Sequence, residues 1–220
     1  MLAERAPLPD IVTGPAVFSG EDACLTVALL AGLRGVRPGR PLLIVDGANA
    51  FDPFLISDLA RRSGTSPQLL LDQIRISRVF TCHQLEALLR GRLADAVRRF
   101  GAGAVYFSGL LDPLLDEDVP AGEASRIFGL IPPVLRTLAG AHVLTVCACP
   151  PPVTIPGRER LFPALCALAP WVFEVTRPAE EPRRRGEIST DAVLVTCRKP
   201  HAQTWTWEPQ IGLIAPRRWW

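Results

Sequence analysis

The sequence predicts an α/β protein in which helices cover a mostly parallel sheet and antiparallel strands extend the C-terminal edge of that sheet. Two patterns carry this prediction. Short apolar runs alternate with amphipathic stretches as far as about residue 170, and three strand-like runs then follow one another. A chain of 220 residues is long enough to bury its own core. We expect one domain over residues 1–220, with loose tails at 1–13 and 216–220.

Elements of the first half follow from apolar periodicity. The run PLLIVDG is almost wholly apolar, as in a strand buried on both faces of a sheet. Leucine and valine recur at three- and four-residue steps between 82 and 100, which indicates an amphipathic helix. The expected order is a strand at 16–18, a helical stretch at 28–33, a strand at 41–47, helices at 53–62 and 66–72, a strand at 74–80 and a helix at 82–100.

The second half changes from alternation to consecutive strands. Three prolines end the run HVLTVCA at once, because proline cannot continue a strand ladder. The expected order is a strand at 104–109, a long loop, a helix at 126–138, a strand at 142–148, a helix within 156–170, and strands at 171–175, 191–197 and 204–208. We expect segments 16–18, 42–45 and 105–107 to be neighbours in one parallel sheet.

The amino acid composition argues against several classes of function. A net charge of +2 provides no general attraction to nucleic acid or membrane. The start of the chain lacks the apolar run of a signal peptide, and no apolar stretch approaches the roughly 20 residues that span a bilayer. The six cysteines lack paired CxxC spacing, and Cys147 and Cys149 would face the same side of a strand as buried free thiols, or as a metal or disulfide pair. We therefore expect a cytoplasmic protein with no membrane contact.

The stretch GEDACLTV, from Gly20 to Val27, lies between a predicted strand and a predicted helix. A phosphate-binding loop, GxxxxGK[ST], occupies such a position in nucleotide-binding proteins. Here Leu25, Thr26 and Val27 stand at the places of the glycine, the lysine and the hydroxyl residue, and Lys199 is the only lysine of the chain. Glu21 and Asp22 would also repel a phosphate. The stretch therefore lacks the groups that hold a nucleotide.

Two further motifs indicate a relationship. They are VDGANAFDPFLI at 45–56, with Asp46, Phe51, Asp52 and Pro53, and IRISRVFTCHQLEALL at 74–89. In these motifs, and in the order of its elements over roughly residues 14–215, the chain resembles the core of RecA-type recombinases and ATPases.

The resemblance implies a former nucleotide site at which other residues replace those that bind and hydrolyse the nucleotide. The family's water-activating acid falls on Ala48, its magnesium-associated aspartate falls on Ser108, and its polar sensor pair falls near Cys147 and Ala148. One lost electrostatic contact can cost roughly 100- to 1,000-fold in rate, so several losses are hard to repair. We expect no catalytic residue, no metal and no cofactor. The vestigial nucleotide site comprises Gly20, Glu21, Asp22, Thr26, Val27, Asp46, Ala48 and Ser108.

The resemblance also implies places for partners. A DNA-facing loop of the family leaves after the fourth strand, where Arg158 and Arg160 stand, and Arg183, Arg184 and Arg185 form a second candidate for DNA contact among flanking glutamates. The acidic residues of segment 116–123 work against DNA binding at another such loop. Trp219 and Trp220 either fold back on the domain or anchor a protein partner, since tryptophan dominates interface hot spots.

These observations favour a non-catalytic binding or scaffold protein of DNA repair, recombination or the damage response. The resemblance extends to accessory factors of mutagenic lesion bypass and to cell-division inhibitors, and the sequence does not choose among them. Two alternatives remain open. One is an ATPase with an unorthodox nucleotide site or with a site that a neighbouring subunit completes in an oligomer, and the other is a single-strand DNA-binding protein without nucleotide.

Overall fold

The computed structural model describes residues 4–5, 14–150, 155–177 and 193–207. In this part of the chain, eight strands and a two-residue strand at the edge form one sheet flanked by helices. The predicted α/β class is confirmed, including the antiparallel strands at the C-terminal edge. Arg183, Arg184, Arg185, Trp219 and Trp220 lie outside the described residues, as do the tail 216–220 and all of the tail 1–13 except Glu4–Arg5.

The sheet has the strand order β1-β9-β8-β7-β2-β6-β5-β3-β4. Strands β2 to β7 are mutually parallel, whereas β8 runs antiparallel to both β7 and β9. The strands are β1 Glu4–Arg5, β2 Pro15–Gly20, β3 Leu42–Asp46, β4 Ile74–Arg78, β5 Ala104–Ser108, β6 Leu144–Cys149, β7 Trp171–Thr176, β8 Val193–Lys199 and β9 Gln203–Trp207.

Helices connect the parallel strands on both faces of the sheet. They are α1 Ala23–Leu33, α2 Pro53–Arg62, α3 Pro67–Leu71, α4 Cys82–Ala87, α5 Leu93–Phe100, α6 Ala121–Phe128, α7 Ile131–Gly140 and α8 Leu161–Leu168. A π-helical turn, Leu88–Arg92, joins α4 to α5, and a 3-10 turn, Asp112–Leu114, follows β5. No helix among the described residues is long and apolar enough to cross a membrane.

Two hydrophobic cores result, one on each face. Alternate residues of the strands point to opposite faces, so Phe18 and Ile44 pack under α1–α3, whereas Val17 and Phe107 pack under α4–α8. The strands at the centre are buried throughout, as β3 and β5 show. This double burial explains why their sequences are nearly continuous apolar runs.

One expected neighbour relation is wrong. Segments 16–18, 42–45 and 105–107 do lie in one parallel sheet, and β3 pairs with β5. However, β2 does not touch β5, because β6 lies between them and pairs with both. The central position of β6 requires its chain to cross past β2 before it reaches β7, and the apolar pattern of a strand contains no information on such a crossing.

Three helices differ from their predicted bounds. Helix α1 begins at Ala23 rather than at residue 28. The predicted helix 82–100 is interrupted at Gly91, whose φ of 158° and ψ of −31° lie outside the helical region. The predicted loop before residue 126 contains the start of α6, which begins directly after Pro120. Proline and glycine near these places indicated loops, although proline is well tolerated before the first turn of a helix.

Candidate functional site

The carboxyl ends of strands β2 to β7 meet at one end of the sheet, which we call the carboxyl end. There, β3 leads into α2 on one face, while β5 leads towards α6 on the other face. Connections that diverge in this way leave a crevice, which is the usual ligand site of an open α/β sheet. The residues of the predicted vestigial site lie at this end or in the first turns of α1 beside it.

The connection from β2 to α1 consists only of Glu21 and Asp22. It packs tightly on β7, since the Glu21 N–H donates to the Val175 carbonyl oxygen at 3.0 Å. Gly20 has a φ of 108°, and a Cβ at this position would lie 2.1 Å from the Val175 oxygen. The approach of two backbones therefore requires glycine here. The predicted glycine of a phosphate loop instead serves contact between strands.

An ion pair also holds the connection between β2 and α1 against the residue that follows β7. The Glu21 carboxylate accepts a hydrogen bond from the Arg177 backbone N–H at 3.1 Å, and its other oxygen lies 3.6 Å from the Arg177 Nε. Arg177 follows directly after β7. Glu21 therefore fastens the start of α1 to the end of β7.

The rest of the predicted loop frame is helical. Thr26 and Val27 lie within α1, and Val27 is buried against the sheet. A phosphate loop needs consecutive backbone N–H groups that point into an open concavity. Here the N–H groups of Cys24 and Leu25 already donate to the carbonyl oxygens of Glu21 and Asp22, at 2.8 and 3.0 Å. The stretch Gly20–Val27 thus contains no loop that could wrap a phosphate group.

Asp46 ends β3 and is fully buried. Its carboxylate accepts hydrogen bonds from the backbone N–H groups of Ala50 at 3.0 Å and Phe51 at 3.2 Å, and Arg78 Nε lies 3.9 Å away. The same turn ends on Asp52, which caps α2 by accepting from the Phe54 N–H at 2.7 Å. Asp46 therefore organises the turn that leads into α2.

Ala48 and Ser108 lie against each other across the crevice. The N–H groups of Gly47 and Ala48 both donate to the Ser108 carbonyl oxygen, at 2.8 and 3.0 Å. A Cβ on Gly109 would lie 2.7 Å from the Ala48 Cβ, so the methyl group of Ala48 closes the space beside β5.

A small cavity of about 30 Å³ lies between α1, β3 and β5, with Thr26, Phe51, Tyr106 and Ser108 in its wall. The Tyr106 hydroxyl donates to the Leu25 carbonyl oxygen at 2.9 Å. Burial raises the pKa of Tyr106 above its ordinary value of 10.0, so the phenol stays protonated. A cavity of this size holds about one water molecule, whereas ligand pockets measure roughly 300–1,000 Å³.

In the connections that follow β2, β3 and β5 at the carboxyl end, every charged side chain is acidic. Burial raises the pKa of Asp112 from its ordinary value of 3.8; a backbone hydrogen bond lowers it by less, and the charge of Asp46 raises it further. The acidic residues in the three connections at this end are Glu21, Asp22, Asp46, Asp52, Asp112, Asp116, Glu117 and Asp118. Such a surface disfavours an anionic ligand.

The cysteine thiols near the carboxyl end of the sheet are not reactive nucleophiles. Cys24, Cys147 and Cys149 are buried and free. Burial, with a smaller effect of the Asp22 charge, raises the pKa of Cys24 to about 12, and burial alone raises that of Cys147 to about 12. Thiols with such pKa values stay protonated near neutral pH and are poor nucleophiles. Within the described residues, no group of three His, Cys, Asp or Glu side chains could hold a metal ion.

Arg158 does not have the position that DNA contact requires. It is 6% exposed, and its guanidinium donates to the backbone carbonyls of Asp116 and Val119. Its hydrogen bonds therefore hold the connection between β5 and α6. This buried position corrects the predicted contact of Arg158 with DNA. Arg160 is exposed, and its contact with DNA stays a prediction.

Several features of this end had no signal in the sequence. Glu21 and Arg177 are 156 positions apart, and nothing in either local pattern pairs them. The burial of Asp112 likewise depends on how the connection after β5 folds over the sheet. The chain matches no known protein family, and it matches no curated protein.

Proposed function

We propose that this chain is a non-catalytic, RecA-like binding or scaffold protein that acts in the cytoplasm in DNA repair, recombination or the damage response. The observation that carries the non-catalytic part is the two-residue connection between β2 and α1. The residues at the places of a phosphate loop, Gly20–Val27, instead form the first turns of α1 and the contact with Val175. This stretch therefore has no concave loop in which a triphosphate could bind. The DNA-related context depends on the resemblance of segments 45–56 and 74–89.

Two properties of the carboxyl end support a binding role. Acidic side chains surround the place where a nucleotide would lie, and Ala48 and Ser108 close the crevice with backbone hydrogen bonds. A sheet with two full cores and a sealed crevice has the rigidity of a scaffold whose surfaces contact a protein partner. The proposal includes self-association of the chain into an oligomer.

The direct test is nucleotide binding by the purified full chain. We expect isothermal titration with ATP and magnesium to detect no binding in the micromolar range, and we expect no release of phosphate. The matched titration uses ATP with EDTA, which separates magnesium-dependent binding from adventitious contact. Submicromolar, magnesium-dependent binding would overturn the proposal in favour of an ATPase with an unorthodox site.

The cellular context has its own test. A strain that lacks the gene should become more sensitive to a DNA-damaging agent or lose damage-induced mutagenesis, and the wild-type gene should restore the response. An unchanged response to damage in the deletion strain would contradict the DNA-related part of the proposal and leave the structural part standing.

A further inference from the structure

Several described connections at the two ends of the sheet carry opposite charge. Acidic residues occupy the connections at the carboxyl end, as described above. At the opposite end, which we call the amino end, the chain passes from α1 into β3 through Arg34, Arg37 and Arg40, and from α5 into β5 through Arg98 and Arg99. An anionic partner would therefore be attracted to the amino end and repelled from the carboxyl end.

Part of this end forms a compact surface, the amino-end basic patch, which consists of Arg37, Arg40, Arg75, Arg99 and Phe100. All five side chains are exposed. Arg75 lies at the start of β4, next to the strand that the turn at residues 37–40 enters. The patch thus combines three connections that are distant in sequence.

Backbone contacts hold these connections together. A Cβ at Gly101 would lie 3.6 Å from the Gly39 carbonyl oxygen, and one at Gly103 would lie 3.3 Å from the Arg40 Cβ. The Gly103 N–H donates to the Pro41 carbonyl oxygen at 3.0 Å. The arginine-bearing turn therefore rests directly on the segment that follows Phe100.

Phe100 lies between two of the guanidinium groups. The Arg99 Cζ lies 5.3 Å from the centre of the Phe100 ring, and the Arg75 Cζ lies 5.8 Å from it. The side chain of Phe100 is nevertheless 37% exposed. These cation–π contacts orient both arginines around a ring that solvent still reaches.

The patch arginines have no acidic partner among the described residues. Several other surface arginines do form ion pairs: Arg62 with Asp58, Arg90 with Glu86, and Arg98 with Asp95. In contrast, Arg37 and Arg75 donate to backbone carbonyl oxygens of their own turns. Among the described residues no carboxylate forms an ion pair with these four guanidinium groups, so their charges are available to an external anion.

We propose that the amino-end basic patch binds single-stranded nucleic acid. Planar guanidinium groups bind phosphate with two parallel hydrogen bonds, and an exposed aromatic ring or a guanidinium plane stacks on an unpaired base. Carboxylates of an acidic protein would satisfy the charges but would make no use of the Phe100 ring. The phosphates of a single strand match the arginines and its unpaired bases match the Phe100 ring, whereas the bases of a duplex are closed to stacking. This inference is independent of the proposed function, since a patch that fails to bind leaves the nucleotide result unaffected.

The test measures fluorescence anisotropy of the full chain with labelled oligothymidylate and oligouridylate of about 20 nucleotides, longer than the roughly 4–16 that one such site covers. The triple variant Arg40→Gln, Arg75→Gln, Arg99→Gln should lose at least about tenfold in affinity at low salt. The slope of log affinity against log salt concentration should become shallower by about 2, since each phosphate contact contributes about 0.7. Phe100→Leu should weaken binding at least about fivefold, and Phe100→Tyr should retain it.

Matched controls separate the patch from general charge. The triple variant Arg61→Gln, Arg92→Gln, Arg136→Gln removes the same charge from exposed positions elsewhere and should bind as the wild type does. The proposal is overturned if this control loses as much affinity, if Arg160→Gln alone abolishes binding, or if the wild type does not bind. Equal affinity for a duplex, or displacement by polyglutamate as effective as by the oligonucleotide, would also overturn it, the latter in favour of an acidic protein. A difference between the two labelled strands decides between DNA and RNA and supports the proposal either way.

Discussion

At the scale of single residues, the constraint at Gly20 is the sharpest in the chain. Its positive φ and the position of the Val175 oxygen both exclude a side chain. The neighbouring ion pair of Glu21 and Arg177 depends on this close approach, because it joins the same two segments. The residue that resembles the first glycine of a phosphate loop is therefore explained by packing between β2 and β7.

Replacement of Gly20 by alanine should lower the free energy of unfolding by about 2–4 kcal/mol, because the new methyl group meets a backbone oxygen at a strained φ. Urea denaturation followed by circular dichroism measures this change. Gly122→Ala is the matched control, since Gly122 lies in α6 with no atom within 4 Å of the added Cβ. The control should be stabilised by up to about 1 kcal/mol. If both variants are equally stable, the contact between Gly20 and Val175 does not exist.

At the scale of elements, a network of charges joins α4 to α6. The Glu86 carboxylate accepts from the Arg126 Nη1 at 2.6 Å and from the Arg90 Nε at 2.8 Å, and its side chain is only 15% exposed. These hydrogen bonds, first from Arg126 and then from Arg90, lower the pKa of Glu86 from 4.5 to about 2. Glu86 thereby links the helix that follows β4 to the helix that follows β5.

This pKa predicts how the contribution of Glu86 varies with pH. Because the pKa in the folded state lies below its value of about 4.5 in the unfolded chain, the stabilisation is complete above about pH 4.5 and is lost as the pH falls towards about 2. Glu86→Gln should therefore lower the urea midpoint clearly near pH 7, and the difference from wild type should disappear near pH 2.

The control for this prediction is Asp95→Asn. Asp95 pairs with Arg98, but both side chains are largely exposed, at 70% and 72%. Exposed pairs contribute little, so this variant should change the midpoint less than Glu86→Gln does near pH 7. An effect of Glu86→Gln that grows towards low pH would contradict the linkage.

At the scale of the whole molecule, one sheet separates two cores and takes part in both. Phe173 on β7 stacks on Phe18 with ring centres 4.7 Å apart, under α1. Phe107 on β5 is buried on the opposite face. Because neighbouring residues of the same strands belong to different cores, loss of either core must disturb the sheet that supports the other.

Phe173→Ala and Phe107→Ala should each lower the free energy of unfolding by about 3–5 kcal/mol, the usual cost of such a cavity. Each variant should still unfold in one transition with an unchanged dependence on denaturant, measured by fluorescence and by circular dichroism together. Phe54→Ala is the control, because Phe54 is 81% exposed, and it should change stability by less than about 0.5 kcal/mol. Separate transitions for the two faces would show that the cores fold independently.

Much of the fold could be predicted from the sequence. Strands β3 and β5 were expected at 41–47 and 104–109 and lie at Leu42–Asp46 and Ala104–Ser108. Burial on both faces imposes a continuous apolar run, and this pattern is local. Helix α2 was also expected at 53–62 and lies at Pro53–Arg62, where Asp52 caps it and Pro53 occupies its first turn.

Less of the candidate site could be predicted, because its properties come from contacts between distant segments. The absence of a lysine from the frame at Gly20–Val27 was visible in the residues themselves. That this frame is helical, with Gly20 against Val175, required the position of β7 in the sheet. Arg158 shows the same limit, since an arginine after a proline-rich turn resembles a surface residue until its guanidinium is placed under Asp116 and Val119.

The amino acid sequence by itself determined which segments become strands and helices and that the frame at Gly20–Val27 has no lysine, because periodicity and residue identity are properties of the local chain. Only the tertiary structure decided that β6 lies between β2 and β5, that Glu21 meets Arg177, and that the arginines of the amino-end basic patch come together from distant segments. The physical reason is that the order of strands depends on how connections cross the sheet and fill its two faces. That choice is made by the packing of the whole molecule, since no single segment carries enough buried surface to decide it.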